Sequence, residues 1–303
     1  MGFKQRLKNW PFLYQSILTV LNFTRYFDIQ FNRKFPRYRP SPYWQKRIDI
    51  VKQSPDNARL HRVADAGRVF ADHQLMHNGL QISLGSYYDF GNTVLLQENQ
   101  GVHEPQEELV FERVIASMPP NAAMMELGSY WAYYSMWFAS RVANAQCFMI
   151  EPDPHKMNFG KLNFQRNGLK GTFKLGFISD HTNYRSSIPT LHVDELMTNF
   201  RINFLHILHS DIQGYELAML RGAERAIADK KIGYFFISTH SNQLHEDCKT
   251  LLREKGYVIV CDANLDESYS VDGLIVAKLP SIPGPDLFEI SKRQVAPQGH
   301  VVG

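Results

Sequence analysis

Three side chains capable of acid–base chemistry stand at the ends of two apolar runs of the sequence. His209 and Asp211 close the run FLHILHSDI, and His240 closes the run GYFFISTH. Residues two apart on a strand point to the same face, so His209 and Asp211 would share a face, with His240 beside them on the next strand. An imidazole with a pKa near neutrality suits proton abstraction from a hydroxyl group. We therefore predict His240 as a general base, with Asp211 orienting it or the substrate.

Two other interpretations of these residues stay open. A divalent metal held by Asp211, His240 and His209 would chelate vicinal hydroxyl groups and lower their pKa, because two histidines and an aspartate form a plausible ligand set. Alternatively, the histidines only hydrogen-bond carbonyl groups at the strand ends. The three cysteines lie far apart and form no CxxC pair, which excludes a cysteine zinc site.

The elements that would position these residues alternate between short apolar runs and helical stretches, from about Phe111 to Leu279. Such alternation predicts an α/β fold with a doubly wound, mostly parallel sheet, here of seven strands. The last two runs, YVIVC (257–261) and LIVAKL (274–279), have no helix between them. Only an antiparallel pairing is natural there, so we predict a terminal antiparallel strand.

Two acidic residues mark a nucleotide-type site at the strand ends. Glu126 ends the first strand just before Gly128, and Glu151 closes the second strand 25 residues later. An acidic residue about 20 positions past the glycine turn is the usual acceptor for ribose hydroxyl groups. A dinucleotide pyrophosphate needs several glycines, whereas bulky Tyr130 and Trp131 follow here. S-adenosylmethionine carries no phosphate and needs one tight turn, so it is favoured over NAD.

Five segments, in order and spacing, resemble the FkbM-type S-adenosylmethionine-dependent methyltransferases: MELGSYWAYYS (125–135), MIEPDP (149–154), ISD (178–180), LHVDEL (191–196) and HSDIQGYELAMLRGAERAI (209–227). The resemblance implies a Rossmann-like class I methyltransferase fold, in which a reversed last strand is usual. It also implies cofactor contacts at six positions: Glu126, Gly128 and Ser129 at the methionine end, Glu151 at the ribose, and Ser179 and Asp180 beside the adenine.

The resemblance implies an activity and also shows departures from the family pattern. Family members commonly act on sugars and natural products, so the expected reaction is O-methylation of a sugar, glycan or small natural-product hydroxyl. Family members usually carry Asn and Gly at the positions of Tyr130 and Ala132, and Lys at that of His209. These departures keep two alternatives open, a catalytically silent cofactor-fold module and an NAD-dependent sugar-modifying enzyme.

The chain divides by composition into four regions: a basic, aromatic N-terminal segment (1–55), a connecting region (56–108), the methyltransferase domain (109–280) and a C-terminal tail (281–303). His103 and Glu104, at the end of the connecting region, are candidates to reach the opening of the cofactor-binding site. The competing interpretation is a solvated helix start with Pro105 in its first turn.

The basic character of the chain is concentrated at its front. Residues 1–52 hold eleven Lys or Arg against two Asp. The apolar run 11–24 is shorter than the roughly 20 residues of a membrane span and lacks a secretory cleavage site. We expect a cytoplasmic protein whose front segment packs on the core, docks a partner or an acidic glycan, or contacts an anionic membrane through residues 1–40. Nucleic-acid binding is not expected, since the charge is spread out and no binding motif is present.

Overall fold

The computed structural model describes residues 40–88 and 90–294, and the statements below concern these residues. The predicted membrane contact of residues 1–40 therefore falls, except for Pro40, outside the described residues. Within them, no helix is both long enough and apolar enough to cross a membrane.

The strands, in chain order, are β1 (His73–Leu75), β2 (Gln81–Ser83), β3 (Ala123–Leu127), β4 (Gln146–Glu151), β5 (Thr172–Leu175), β6 (Phe177–Ile178), β7 (Thr190–Leu191), β8 (Leu205–Ser210), β9 (Ile232–Thr239), β10 (Val258–Ala263) and β11 (Gly273–Lys278). The α-helices are α1 (Pro42–Lys52), α2 (Phe90–Glu98), α3 (Pro105–Ile115), α4 (Tyr133–Arg141), α5 (Pro154–Arg166), α6 (Val193–Asn199), α7 (Glu216–Arg221), α8 (Glu224–Ala228) and α9 (Asn242–Glu254). A short 3₁₀ helix spans Pro55–Arg59.

Seven of these strands form the central sheet, in the order β10-β11-β9-β8-β3-β4-β5. The pairs between β9, β8, β3, β4 and β5 are parallel, whereas β11 runs antiparallel to both β9 and β10. This confirms the predicted Rossmann-like α/β fold with its reversed last strand. Two further pairs, β1–β2 and β6–β7, form small separate sheets.

Both faces of the central sheet are buried. Its strands accordingly carry continuous apolar runs, without the alternation of apolar and polar residues that a sheet with one solvent-exposed face shows. In β9 all eight residues are buried. Phe236 packs into the core on one face of the sheet, and its neighbour Phe235 packs into the core on the other. Met124 and Met125 of β3 divide in the same way. The central strands are therefore fixed from both sides, and their carboxyl ends form a rigid edge.

Three boundaries differ from those that the sequence predicts. The string SYWAYYSMWFASRVA predicts a helix over 129–143 with Ser129 near its N-cap, whereas the helix begins at Tyr133 and the residue before it, Ala132, takes a left-handed conformation (φ 60°). The string GYELAMLRGAERAIADKK predicts one helix over 214–231, whereas the structure has two, α7 and α8, divided around Gly222, where a Cβ would lie 2.4 Å from the carbonyl oxygen of Ser179. The apolar run 172–179 also divides, and its second half, β6, pairs with β7 outside the main sheet.

Both described flanks pack on the connecting region. Ser41 caps α1 by accepting a hydrogen bond from Trp44 N–H, and Lys52 at the other end of the helix pairs with Glu98 of α2 at 2.8 Å. Residues 281–294 return to the connecting region, where Ser291 N–H donates to the buried carboxylate of Asp56. These parts of the predicted front segment and tail are thus structural parts of the fold.

Candidate active site

A cavity of about 530 Å³ opens along the carboxyl ends of β4, β3 and β8. Ligands of doubly wound sheets bind at this edge. Of the nine residues predicted at the site, seven line the cavity: Glu126, Gly128, Ser129, Glu151, Ser179, His209 and Asp211. Asp180 is exposed and hydrogen-bonds His181, which does line the cavity. His240 lies beside Asp211, outside the cavity wall.

Glu151 is held at the end of β4 by two backbone groups. Its Oε2 accepts a hydrogen bond from Tyr130 N–H (3.0 Å), and its Oε1 accepts one from Asp153 N–H (2.9 Å). Burial raises its pKa to about 6, although these hydrogen bonds and the charge of Lys156 favour ionisation. Each carboxylate oxygen retains accepting capacity, so a fixed Glu151 can receive two adjacent hydroxyl groups.

The turn after β3 brings two backbones into close approach. Gly128 has φ +74°, and a Cβ added there would lie 1.8 Å from the carbonyl oxygen of Asp211. No side chain fits this position, because the obstructing atom belongs to the backbone. The N–H groups of Gly128 and Ser129 both donate to the carbonyl oxygen of Ile150, which ties the turn to β4.

The next residues of this turn adopt a backbone conformation that suits glycine and asparagine. Tyr130 has φ +40° and Ala132 has φ +60°, a left-handed region that glycine adopts freely and asparagine tolerates. Here the Tyr130 conformation is secured by contacts of its own. Its ring lies beneath Lys156 Nζ (4.5 Å), and its hydroxyl oxygen accepts a hydrogen bond from Tyr88 N–H. The departures at these positions therefore introduce strain but keep the turn.

Glu126 and His209 lie side by side in the parallel register of β3 and β8. Glu126 accepts a hydrogen bond from Ser135 N–H at the start of α4 (2.9 Å), and burial raises its pKa. His209 Nε2 lies 2.8 Å from Glu107 Oε1, and Tyr134 packs against the ring at 4.3 Å between centroids. Burial would lower the pKa of His209, but the carboxylate of Glu107 raises it. The pair places the His209 ring in the wall of the cavity, where Glu107 favours its charged form and burial opposes it.

His240 is surrounded by three carboxylates. Its Nδ1 lies 2.8 Å from Glu216 Oε1, and its Nε2 lies 3.3 Å from Asp211 Oδ1 and 3.4 Å from Asp272 Oδ1. Burial would lower the pKa of His240, but hydrogen bonds to Asp211 and Glu216 and the charge of Asp272 raise it to about 10. A ring with this pKa keeps its proton at neutral pH.

Two members of this cluster were missed by the sequence reasoning. Glu216 belongs to the SDIQGYE string but was given no role, and Asp272 lies in an acidic loop 32 residues after His240. Antiparallel pairing of β11 with β9 sets Gly273 opposite Thr239, which brings Asp272 beside His240. Burial and the charge of Asp211 raise the pKa of Asp272 to about 7.

The metal alternative gains no support from the described residues. No group of three or more His, Cys, Asp or Glu side chains among them has an arrangement that could hold a metal ion. His209, the third ligand of that hypothesis, points its Nε2 to Glu107.

The residues just before α3 contribute a further wall. His103 and Glu104 line the cavity, and His103 is buried, so they do not form a solvated helix start. Arg47 of α1, which sequence reasoning did not single out, lies buried with its Nη2 3.2 Å from His103 Nε2 and 3.9 Å from Glu104 Oε1. Ser270 donates a hydrogen bond to the same Glu104 oxygen (2.9 Å).

Comparisons with known proteins find one matching family model. Residues 143–259 match the model of the family described as "Methyltransferase FkbM domain", which confirms the resemblance over that stretch. No curated protein matches.

Solved structures that resemble the chain include methyltransferases. One is the M. capricolum TrmK structure in complex with S-adenosyl-homocysteine, with 14% identity, 57% of this chain and 68% of that chain covered, and a TM-score of 0.41. Another is a putative rRNA-methylase from Clostridium thermocellum, with 8% identity, 60% and 99% covered, and a TM-score of 0.43. A third is precorrin-6y C5,15-methyltransferase from Geobacter metallireducens GS-15, with 12% identity, 57% and 88% covered, and a TM-score of 0.40.

Proposed function

We propose that this protein transfers the methyl group of S-adenosylmethionine to a hydroxyl group of a sugar, glycan or small natural product. One observation carries the proposal: a single cavity joins the buried carboxylates of Glu126 and Glu151 to Asp211, the member of the His240 cluster that lines it. The first two residues suit a nucleoside with a charged amino-acid part, and the third suits removal of a proton.

The cavity fits the cofactor in chemistry and size. Its volume of about 530 Å³ lies within the range of roughly 300–1,000 Å³ that is usual for small-molecule sites. Ser129 Oγ, in the cavity wall, is buried and has no hydrogen-bond partner among the described residues. Buried polar atoms are normally paired, so this hydroxyl group is free for a ligand. When bound, S-adenosylmethionine supplies an electrophilic methyl group on a sulfonium.

Proton removal falls to a carboxylate in this proposal. A hydroxyl acceptor loses its proton as it is methylated, and Asp211 is the carboxylate of the His240 cluster that lines the cavity. His240 keeps its proton and hydrogen-bonds Asp211, while Glu216 fixes the other side of the ring. We therefore assign proton acceptance to Asp211 and positioning to His240, instead of the histidine base predicted from the sequence.

The acceptor part of the cavity combines flat rings with a carboxylate. Tyr87 and Trp131 stack on each other with centroids 4.2 Å apart, and both line the cavity together with Tyr88 and Glu104. Apolar ring surfaces combined with a few polar groups orient a ligand that has both kinds of surface. A polyhydroxylated ring has both, which supports the choice of a sugar-like acceptor.

Calorimetry and methyl transfer test the proposal in two steps. The wild-type protein should bind S-adenosylhomocysteine and not NAD, and it should transfer a tritiated methyl group to a member of a panel of glycans and glycosylated natural products. Binding without transfer to any acceptor would instead indicate a silent module, and binding of NAD alone would indicate the dehydrogenase-like alternative.

Substitution of His240 tests the acid–base cluster. His240→Ala should retain the affinity for S-adenosylhomocysteine and lose at least about 100-fold in turnover, the usual scale for general acid–base catalysis. His73→Ala, on β1 and away from the cavity wall, is the matched control and should remain active. Unchanged turnover in His240→Ala would refute its role.

A further inference from the structure

A buried carboxyl group and a buried imidazole in the cavity wall have unused hydrogen-bonding capacity. Glu126 has one hydrogen bond to a described residue, from Ser135 N–H, whereas a carboxylate can accept about four. His209 uses Nε2 toward Glu107, and its Nδ1 is buried without a hydrogen-bond partner among the described residues. Both side chains are less than 5% exposed and both line the cavity.

The free nitrogen of His209 is a donor when the ring is charged. The Glu107 carboxylate favours the charged ring and raises the pKa of His209 against the effect of burial. An imidazolium carries a hydrogen on both nitrogens, so Nδ1 presents an N–H group. Leaving a charged donor buried without an acceptor is costly, which indicates that a ligand supplies the acceptor.

We infer that His209 Nδ1–H binds the α-carboxylate of the cofactor's methionine part, while Glu126 binds its α-ammonium group. This inference rests on the proposed function, since it presumes S-adenosylmethionine as the ligand. The neighbouring pair of one cation and one anion matches the zwitterion of an amino acid, and the two residues are register partners on adjacent strands. His209 thus acquires a cofactor-binding role in place of the catalytic role predicted from the sequence.

Two ligands that differ in one group test this role without any acceptor. S-adenosylhomocysteine carries the α-carboxylate, and its decarboxylated form keeps the amine, sulfur and nucleoside. By calorimetry, the wild-type protein should bind S-adenosylhomocysteine about ten- to a hundred-fold more tightly, the range expected for a charged hydrogen bond. Equal affinities in the wild-type protein would overturn the inference without any variant.

A pair of substitutions then separates this role from a merely structural one. In His209→Gln the amide can still reach Glu107 but the donor at the Nδ1 position is lost, so the preference for the carboxylate should fall to less than about threefold. In His209→Asn the amide stands at the Nδ1 position, so most of the preference should remain.

The outcomes separate failure of this inference from failure of the proposed function. If His209 only anchors Glu107, the order of the two variants reverses, and that result overturns the inference. A wild-type protein that binds neither ligand refutes the proposed function and the inference together. A wild-type protein that binds both ligands equally refutes only the inference.

Discussion

Replacement of Gly128 by alanine should damage both stability and cofactor binding, because two separate penalties act there. A left-handed backbone destabilises an L-residue by about 1–2 kcal/mol relative to glycine. The added Cβ would also lie 1.8 Å from the carbonyl oxygen of Asp211, and relief of such overpacking costs about 1–3 kcal/mol more. We expect Gly128→Ala to lower the free energy of unfolding by about 2–5 kcal/mol. Since relief of the clash moves β3 away from β8, S-adenosylhomocysteine should bind at least about tenfold more weakly.

Gly168→Ala provides the matched control for this prediction. Gly168 follows α5 with a similar left-handed conformation (φ +66°), but a Cβ there would meet no atom within 4 Å. It should therefore show only the backbone penalty of about 1–2 kcal/mol and leave binding intact. Urea unfolding gives the free energies, and calorimetry gives the affinities. Equal destabilisation of the two variants, or wild-type affinity in Gly128→Ala, would refute the assignment of the clash.

Three further predictions concern other parts of the chain. Burial raises the pKa of Glu151 to about 6, so the carboxylate gains a proton as the pH drops below 6. The affinity for S-adenosylhomocysteine should then fall by up to about tenfold per pH unit. Calorimetry at pH 5, 6 and 8 should show this slope in the wild-type protein and a flat profile in Glu151→Gln. Ala132→Gly should raise the free energy of unfolding by up to about 1 kcal/mol, because glycine relieves the left-handed strain of the residue before α4. Urea unfolding measures this change, and a loss of stability would contradict the prediction. The full chain should sediment with anionic liposomes, and added salt should weaken this binding, whereas a chain beginning at Pro40 should not sediment. If the full chain does not bind, the proposed membrane contact is wrong.

Much of the fold was predictable because burial patterns are local. The apolar runs of β8 and β9 each specify a strand without long-range information. Leu244, Cys248, Leu251 and Leu252 recur at i, i+4, i+7 and i+8, which predicts the helix α9 in the same local way. Some helix boundaries could not be predicted because a glycine can allow close packing between elements as well as form a turn. In the string GLQISLGSYYDFGNT (79–93), Gly91 suggests a break between short strands, but it lies inside α2, where a Cβ would come within 2.2 Å of the Trp44 ring. That contact joins helices from distant parts of the chain and leaves no local signal.

The cavity wall was predictable for a topological reason. Residues that close parallel strands meet at one edge of the sheet, so Glu126, Glu151 and Asp211 could be brought together from the strand order alone. Arg47 could not, because its helix precedes the sheet by about 70 residues and its place depends on packing against α2. Sequence reasoning thus identified the residues whose positions the sheet fixes. It missed Arg47, whose position depends on the packing of a flanking helix.

The role of His240 shows how a single long-range contact changes chemistry. Considered alone, a histidine at a strand end suggests a base, because its ordinary pKa is near neutral. The reversal of β11 places Asp272 beside Nε2, and α7 places Glu216 beside Nδ1, so the ring is held as a cation. Loss of activity in His240→Ala would therefore not by itself identify the base. His240→Gln should distinguish a positioning role from a role as the base, because glutamine keeps a donor toward the carboxylates but has no titrating ring. Partial retention of turnover would indicate a positioning role. Turnover as low as that of His240→Ala would indicate that the ring itself takes the proton.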